Sequence, residues 1–405
     1  MASRANWAWP AGHKLFLIYS RKNMPLPQPE LDLQFMQRAL QLAAGMEGLT
    51  SPNPQVGCVL VRDGEVLGEG AHLYESFDHA EIVALKQAAS RGLSLEGATA
   101  YVTLEPCSHH GRTGPCADAL VAAKITRCVV ATTDANPVVS GRGIEKLRAA
   151  GIEVTIGVLE KRARDLNEAF AHFMVKGTPF VTLKAAVSVD GKLAPAPGLR
   201  GTIEPHWLTG SEARQQVQLL RHAHDAILTG IGTVLADDPL LTDRSGLPRR
   251  RPLFRVVLDT NLRTPTDSKL IQSAQGDLLL FASASVAQER IEELTRLGAE
   301  VELLAEEAGR LPLPAVLAVL ARRKVLSLLL EGGSHLNGAF LKQDLVDKVI
   351  LFHSPATLGE GAIPFAEGIA SVEEFESALA PVIRTEVGAD TRVEGYLHQP
   401  WSALK

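Results

Sequence analysis

Apolar positions along the chain fall into helical stripes and short strand-like runs that alternate. Leu33, Met36, Leu40 and Ala43 recur at helical period, and Asp32 stands where an N-cap would precede them. Ser51-Pro52-Asn53-Pro54 breaks the stripe, and a hairpin is predicted over 57–61, turning at Asp63-Gly64 into Val66-Leu67. Helices are then predicted from His79, Cys116 and Ile144, and strands over 99–104, 128–132 and 152–156. Such alternation predicts a layered α/β domain. A further helix over 161–175 runs into Gly177-Thr178-Pro179, which reads as a linker. Beyond it the pattern restarts, with strands predicted over 180–187, 226–229, 254–258, 278–281, 325–330 and 349–353. A helix over 286–297 is predicted to be capped by Ser285 and stopped by Gly298. The organisation expected is therefore α/β throughout, with domains over 31–176 and 178–405 and no internal repeat.

Residues 1–30 stand apart, with Trp7, Trp9, a short apolar patch over 15–18 and prolines at 25, 27 and 29. They read as a tail that can be disordered, with Met24 as an alternative start. The patch is too short and too poorly flanked for a signal peptide.

Composition narrows the class. At 405 residues, with 46% apolar and 21% charged residues, the chain is an ordinary globular protein without a run long enough to span a membrane, and a cytoplasmic location is expected. A net charge of −5 disfavours general nucleic-acid binding but leaves room for a local basic groove that takes a phosphorylated small molecule. Of the four cysteines, Cys58 and Cys128 lie inside apolar runs and read as buried core thiols.

The other two carry chemistry. His79-Ala80-Glu81 is followed by Pro106-Cys107 and, after eight intervening residues, by Cys116. His79, Cys107 and Cys116 form a three-ligand set for zinc whose fourth position stays open for water, the mark of a catalytic site. Zinc lowers the pKa of its water to about 7, so hydroxide is available to attack an amino-bearing ring carbon. Glu81, two residues from a ligand, can carry the proton to the departing amine, as in the nucleobase deaminases. Those enzymes place two residues between the cysteines where this chain places eight. In the second half, Glu331-Gly332-Gly333-Ser334 follows an apolar strand and opens a helix, a weak phosphate-binding signal. Gly230-Ile231-Gly232 lacks the third glycine of a dinucleotide fingerprint and is set aside. Asp237-Asp238-Pro239 reads, on composition, as a helix-ending turn. Residues alone thus give a zinc deaminase domain joined to an α/β domain that can bind a dinucleotide.

From Leu31 onward the chain resembles the bifunctional deaminase/reductase family of riboflavin biosynthesis, whose deaminase motif has the longer cysteine spacing. The resemblance implies a cytidine-deaminase-like domain followed by a dihydrofolate-reductase-like domain. It implies Zn2+-dependent deamination of 2,5-diamino-6-ribosylamino-4-pyrimidinone 5'-phosphate, then reduction of the ribosyl group to ribityl by NADPH, in a homo-oligomer (dimer or tetramer). Asn53, in the loop 51–57, together with His72, His109, Arg112, Asp134 and Asn136, falls on deaminase substrate positions. Ala186, Trp207, Thr233, Asp237, Thr260, Gly333 and Ser334 fall where the family holds NADP, and Arg221, Leu241, Arg244 and Glu331 where it holds the sugar phosphate. The match over 233–244 overturns the plain-turn reading of Asp237-Asp238-Pro239.

Departures from the pattern include Ser76, Asp78 and Ala135, which loosen loops without removing chemistry. Two other readings stay open at this point: a tRNA or nucleoside deaminase fused to a reductase-like domain, and a structural zinc clip joined to a binding module. The acidic balance disfavours the first and Glu81 the second. Pro205 stands where the resemblance implies a serine, so the hydrogen bond that serine would make to the sugar phosphate is not available from this position, unless Thr202 or His206 of the longer loop takes its place. Pro205→Ser is expected to lower the reductase Michaelis constant for the sugar phosphate and leave NADPH affinity unchanged; steady-state kinetics check both.

Overall fold

The computed structural model describes residues 27–109, 114–137, 139–196 and 207–401. The readings placed on the tail before residue 27, on Arg112 and on Pro205 lie outside them. In the first half, β1 (Gly57–Arg62), β2 (Glu65–Ala71), β3 (Thr99–Val102), β4 (Arg127–Val130) and β5 (Glu153–Ile156) form a sheet of order β2-β1-β3-β4-β5. The β1–β2 hairpin turns at Asp63-Gly64, both with positive φ, as a two-residue turn matched to strand twist requires. β3, β4 and β5 run parallel. Alternate residues of β1 face opposite layers. Val59 and Val61 pack with Phe35, Met36 and Leu40 of α1 (Gln28–Ala44), whereas Cys58 and Leu60 belong to a core with α2 (Ala80–Ser90), α3 (Cys116–Ala122) and α4 (Arg142–Ala149). Cys58 and Cys128 are buried core thiols.

Four local expectations are corrected. α1 starts at Gln28, so residues 28–30 are not part of the tail; Pro29 occupies its first turn, where the missing N–H is harmless. Asp32 is not a cap: it lies inside α1, where Arg127 grips its two carboxylate oxygens, each at 2.7 Å, and the Tyr101 hydroxyl donates to it at 2.9 Å. Leu33, 48% exposed, is off the packed stripe, which runs instead through Phe35, Met36, Ala39, Leu40 and Ala43. The helix predicted over 161–175 is two, α5 (Glu160–Leu166) and α6 (Glu168–Lys176), broken at Asn167. α6 ends at Gly177, whose φ of 73° a glycine adopts without strain.

In the second half, β6 (Phe180–Ser188) is followed by β7 (Lys192–Ala194), α7 (Ser211–Ala223), β8 (Ala226–Gly230), α8 (Ile231–Asp237), β9 (Phe254–Leu258) and α9 (Lys269–Gln272). Next come β10 (Leu278–Ser283), α10 (Gln288–Arg296), β11 (Glu300–Leu304), α11 (Leu313–Arg322), β12 (Ser327–Leu330), α12 (Ser334–Lys342) and β13 (Lys348–Ser354). The chain closes with β14 (Ile363–Pro364), α13 (Val372–Ser377), β15 (Ile383–Val387) and β16 (Asp390–Tyr396). Nine of these strands form one sheet, β11-β10-β9-β8-β12-β6-β13-β16-β15, parallel except at the β13-β16-β15 end. Its central strands are covered on both faces, which is why they read as unbroken apolar runs such as Leu278-Leu279-Leu280-Phe281. Ser285 does not cap α10, which starts after Ala287; its backbone N–H and hydroxyl pair instead with the Ser283 hydroxyl.

The two halves touch at several points. Lys348 and the Tyr396 hydroxyl meet Glu168 of α6, and Arg251 reaches Ser51 in the loop before β1. Among the described residues no helix is long and apolar enough to cross a membrane.

The Asp32–Arg127 pair fastens α1 to the sheet. Asp32→Ala is expected to cost about 3 kcal/mol at neutral pH, because it strands a half-buried guanidinium. Burial would lift the Asp32 carboxyl, but the hydrogen bonds from Arg127, Gln28 and Tyr101 outweigh it and hold the pKa below its ordinary value. The stabilisation is thus complete above the ordinary carboxylate pKa of about 3.9 and is lost as pH falls through the lower folded value. Urea denaturation of both proteins at pH 7 and pH 3 checks the cost and its shrinkage in acid.

Candidate active sites

Three elements deliver the zinc-type donors to one point. His79 is the N-cap residue of α2, Cys116 opens α3, and Cys107 follows the end of β3. His79 Nδ1 lies 3.3 Å from Cys116 Sγ and 3.5 Å from Cys107 Sγ, and the three donor atoms sit within 4.8 Å of one another. A tetrahedral zinc about 2.3 Å from sulfur and about 2.0 Å from nitrogen holds such atoms roughly 3.5 Å apart, so the donor set fits that ion. A hydrogen bond from Cys116 draws the Cys107 thiol down to about 4, while Cys116, as the donor, is driven up. Glu81, in the first turn of α2 and 3% exposed, faces the same point and bonds Cys116. Burial, aided by charge on Cys107, pushes its carboxyl up to about 7, where a group can both take and return a proton.

The substrate-type residues surround this centre. The His72 ring packs edge-on to His79 with centroids 5.6 Å apart, and its Nδ1 donates to the Asp78 carbonyl at 2.8 Å. That fixes Nε2 as an acceptor for the Asn53 amide at 2.9 Å, and burial keeps the ring neutral. Asp134 and Asn136 share a turn in which the Asn136 N–H donates to the Asp134 carboxylate at 2.8 Å. Burial raises the Asp134 carboxyl to about 6. His109 is exposed, two residues beyond Cys107.

A second cluster lies at the carboxyl ends of the parallel strands in the other sheet, where open α/β sheets hold ligands. Glu331 follows β12 and is gripped by Arg221 at 2.8 and 3.1 Å and by Lys184 at 3.4 Å. Burial would raise its pKa, but Lys184 and Arg221 hold it well below the usual carboxylate range. Ala186 is near the end of β6, Thr233 is in α8 just beyond β8, and Thr260 follows β9. Gly333 caps α12, opened by the buried Ser334, and a Cβ built on Gly333 would meet only the Thr233 hydroxyl, at 3.9 Å. Asp237 ends α8, so the plain helix-ending turn is present. It is more than that, because Asp238 and the buried Leu241 both take positive φ, a strain seen most often at functional sites. Arg244 is exposed, and Trp207, 63% exposed, lies under the Arg214 guanidinium.

The cytidine and deoxycytidylate deaminase zinc-binding region model matches residues 29–132, and the RibD C-terminal domain model matches residues 179–382. The riboflavin biosynthesis protein RibD of Aquifex aeolicus is 40% identical over 345 residues, covering 85% of this chain and 93% of that protein. The chain belongs to the RibD family. RibD of Escherichia coli is 40% identical over 361 residues, covering 85% and 95% of the two chains. The solved Acinetobacter baumannii RibD superposes with a TM-score of 0.77 at 37% identity, covering 91% of this chain and 99% of that one. The Thermotoga maritima diaminohydroxyphosphoribosylaminopyrimidine deaminase/5-amino-6-(5-phosphoribosylamino)uracil reductase gives 0.76 at 34%, with the same coverage. As a RibD protein the chain is a bifunctional riboflavin-biosynthesis enzyme, with a cytidine-deaminase-like domain ahead of a reductase domain, and it acts on a small molecule.

Sequence reasoning missed several residues of this RibD site. Lys184 was hidden in an apolar strand run, although a lysine there has to find a buried partner. Asn167 breaks a helix in order to bond both the N–H and the carbonyl of Gln55, at 2.8 and 3.0 Å, which steadies the Asn53 loop. Glu105, directly before Pro106-Cys107, accepts backbone N–H groups from Asp134, Gly141, Gly143 and Ile144. Gly143 meanwhile passes so close to the cysteine strap that a Cβ would fall 1.9 Å from the Pro106 carbonyl oxygen. Gly143→Ala must therefore push the strap aside, an overpacking of about 1–3 kcal/mol. We expect zinc affinity to fall by about 10-fold or more, since about 1.4 kcal/mol is a decade. Chelator competition checks it.

Proposed function

We propose that this RibD protein deaminates 2,5-diamino-6-ribosylamino-4-pyrimidinone 5'-phosphate in its first domain and reduces the ribosyl group to ribityl with NADPH in its second. The division falls near Gly177, giving a deaminase domain that begins with α1 at Gln28 rather than at 31 and runs to 176, and a reductase domain over 178–405. The observation that carries the deaminase half is the buried Glu81 carboxyl set beside three converging zinc-type donors. His79, Cys107 and Cys116 would hold one Zn2+, which when bound supplies a Lewis acid that makes water nucleophilic at neutral pH. Glu81 takes the proton from the attacking water and delivers it to the departing amine. Asn53, with one amide hydrogen committed to His72, offers its remaining N–H and its oxygen to the pyrimidine edge. Asp134 and Asn136 complete that edge, and His109 and Arg112 meet the ribose phosphate.

In the second domain Ala186, Trp207, Thr233, Asp237, Thr260, Gly333 and Ser334 would hold NADPH, whose role is to donate hydride. The open space over Gly333 and the strand ends around Glu331 fit that group. Glu331 stays ionised between Lys184 and Arg221 and fixes the direction of the Arg221 guanidinium. Arg221 also donates to the Thr242 carbonyl, so the exposed Arg244 is the stronger candidate for the phosphate, with Leu241 closing the sugar site. A cytoplasmic dimer or tetramer is part of the same proposal.

Glu81→Gln tests the deaminase reading. The variant is expected to lose at least about 100-fold in deaminase turnover, the share of a general acid-base group. It should keep its zinc and reduce pre-deaminated substrate at the parent rate. Near-parent deamination by the zinc-loaded variant would sink the assignment.

A further inference from the structure

We propose that Trp401, from the end of the reductase half, is a positioning residue for the deaminase reaction, acting on the turn that carries Asp134 and Asn136. Trp401 is 9% exposed and packs in one cluster with Ala135 and Ala171, both fully buried, and with Met174. Ala135 lies between the two substrate-type residues, so the indole rests on the turn itself. Its Nε1–H donates to the Arg164 carbonyl at 3.1 Å, and the Arg164 guanidinium lies over the ring at 5.3 Å. Arg164 Nε in turn donates to the Thr132 hydroxyl at 3.3 Å. Trp401 thus bears on both flanks of Asp134: directly at Ala135, and through Arg164 at Thr132.

The other side of the turn is held by main-chain bonds. Glu105 takes the Asp134 N–H at 3.2 Å, and the Asp134 carboxylate takes the Asn136 N–H. These bonds hold the turn from the Glu105 side, where the Asn136 carbonyl also accepts the Val139 and Ser140 N–H groups, and the cluster that contains Trp401 backs it at Ala135. Because Ala135 is small, the ring can sit directly against the backbone of the turn. Glu81 and the three metal-type ligands are carried by α2, α3 and the strap after β3, so a shift of the turn misplaces the bound ring without altering the proton carrier. Losing Trp401 should therefore weaken substrate binding more than turnover.

The inference rests on the reading that Asp134 and Asn136 touch the pyrimidine, and the experiment separates the two. In the full-length enzyme, Trp401→Ala is expected to raise the deaminase Michaelis constant by about 10-fold or more, as displacement of a positioning group does. Turnover at saturation, zinc content and NADPH-dependent reduction of pre-deaminated substrate should stay at parent values. Trp401→Phe, which keeps a ring on Ala135 but lacks the N–H, should recover most of the affinity. If Trp401→Ala does not fold, Trp401→Leu, which keeps apolar volume without ring or donor, is read in its place. Asn136→Ala is the control. If it raises the Michaelis constant while the Trp401 variants do not, the positioning role is overturned and the substrate reading stands. If neither changes it, the substrate reading fails and takes the inference with it. A loss of turnover and zinc together in Trp401→Ala would show a structural role only, and would also overturn the proposal.

Discussion

The deaminase site depends on one buried carboxylate that, among the described residues, forms no ion pair. Glu105 is 4% exposed, and its two oxygens accept four backbone amides from residues 134–144. Isolated in a protein interior, an ionised carboxylate is strongly disfavoured, and only a full set of hydrogen bonds makes the burial tolerable. Here the set is supplied partly by the segment after β4, at Asp134 and Gly141, and partly by the first turn of α4, at Gly143 and Ile144. The same residue stands at the end of β3, immediately before Pro106 and Cys107. One side chain therefore ties the strap that carries Cys107 to the turn that carries Asp134 and Asn136.

The second constraint is that the halves of the chain do not meet as smooth surfaces. Arg249 gathers the carbonyls of Arg221, His222 and His224 together with the Asp243 carboxylate, welding the end of α7 to the loop that follows Leu241. The next two arginines face the deaminase side. The Arg250 N–H donates to the Gly48 carbonyl and its guanidinium lies 4.1 Å from the centre of the Tyr74 ring, while Arg251 links Asp225 to the Ser51 hydroxyl. Of three consecutive positive charges that could be taken for a surface feature, one braces the second half internally and two reach across to the first.

Much of this was legible beforehand, and the failures share a cause. Strands announced themselves because a central parallel strand must be apolar on both faces, and the β1–β2 turn because Asp-Gly accepts two positive φ angles. The zinc-type trio was legible as residue types at a spacing. What the sequence could not show was which polar residue is consumed by a distant one. Asp32 looked like a helix cap because the local pattern allows it, and only the fold brings Arg127 across from β4. Asn167 sat within a helical stripe, and its competing bond to Gln55 is 112 residues away. Glu105 and Lys184 were likewise invisible as partners, since Glu331 lies 147 residues from the lysine it holds.

Asn167 has one further consequence. By bonding the N–H and the carbonyl of the same residue, its amide imitates a single rung of a β-ladder, so the backbone before β1 is paired to a side chain as an edge strand is paired to a neighbour. Register then applies to a stretch with no sheet beside it. Successive backbone groups point in opposite directions, so inserting or deleting one residue between Asn53 and Gly57 would present the wrong face to the amide and turn the substrate loop over. The pairing to Asn167 uses only the backbone of Gln55, so it constrains the length of this loop and not the side chain at that position.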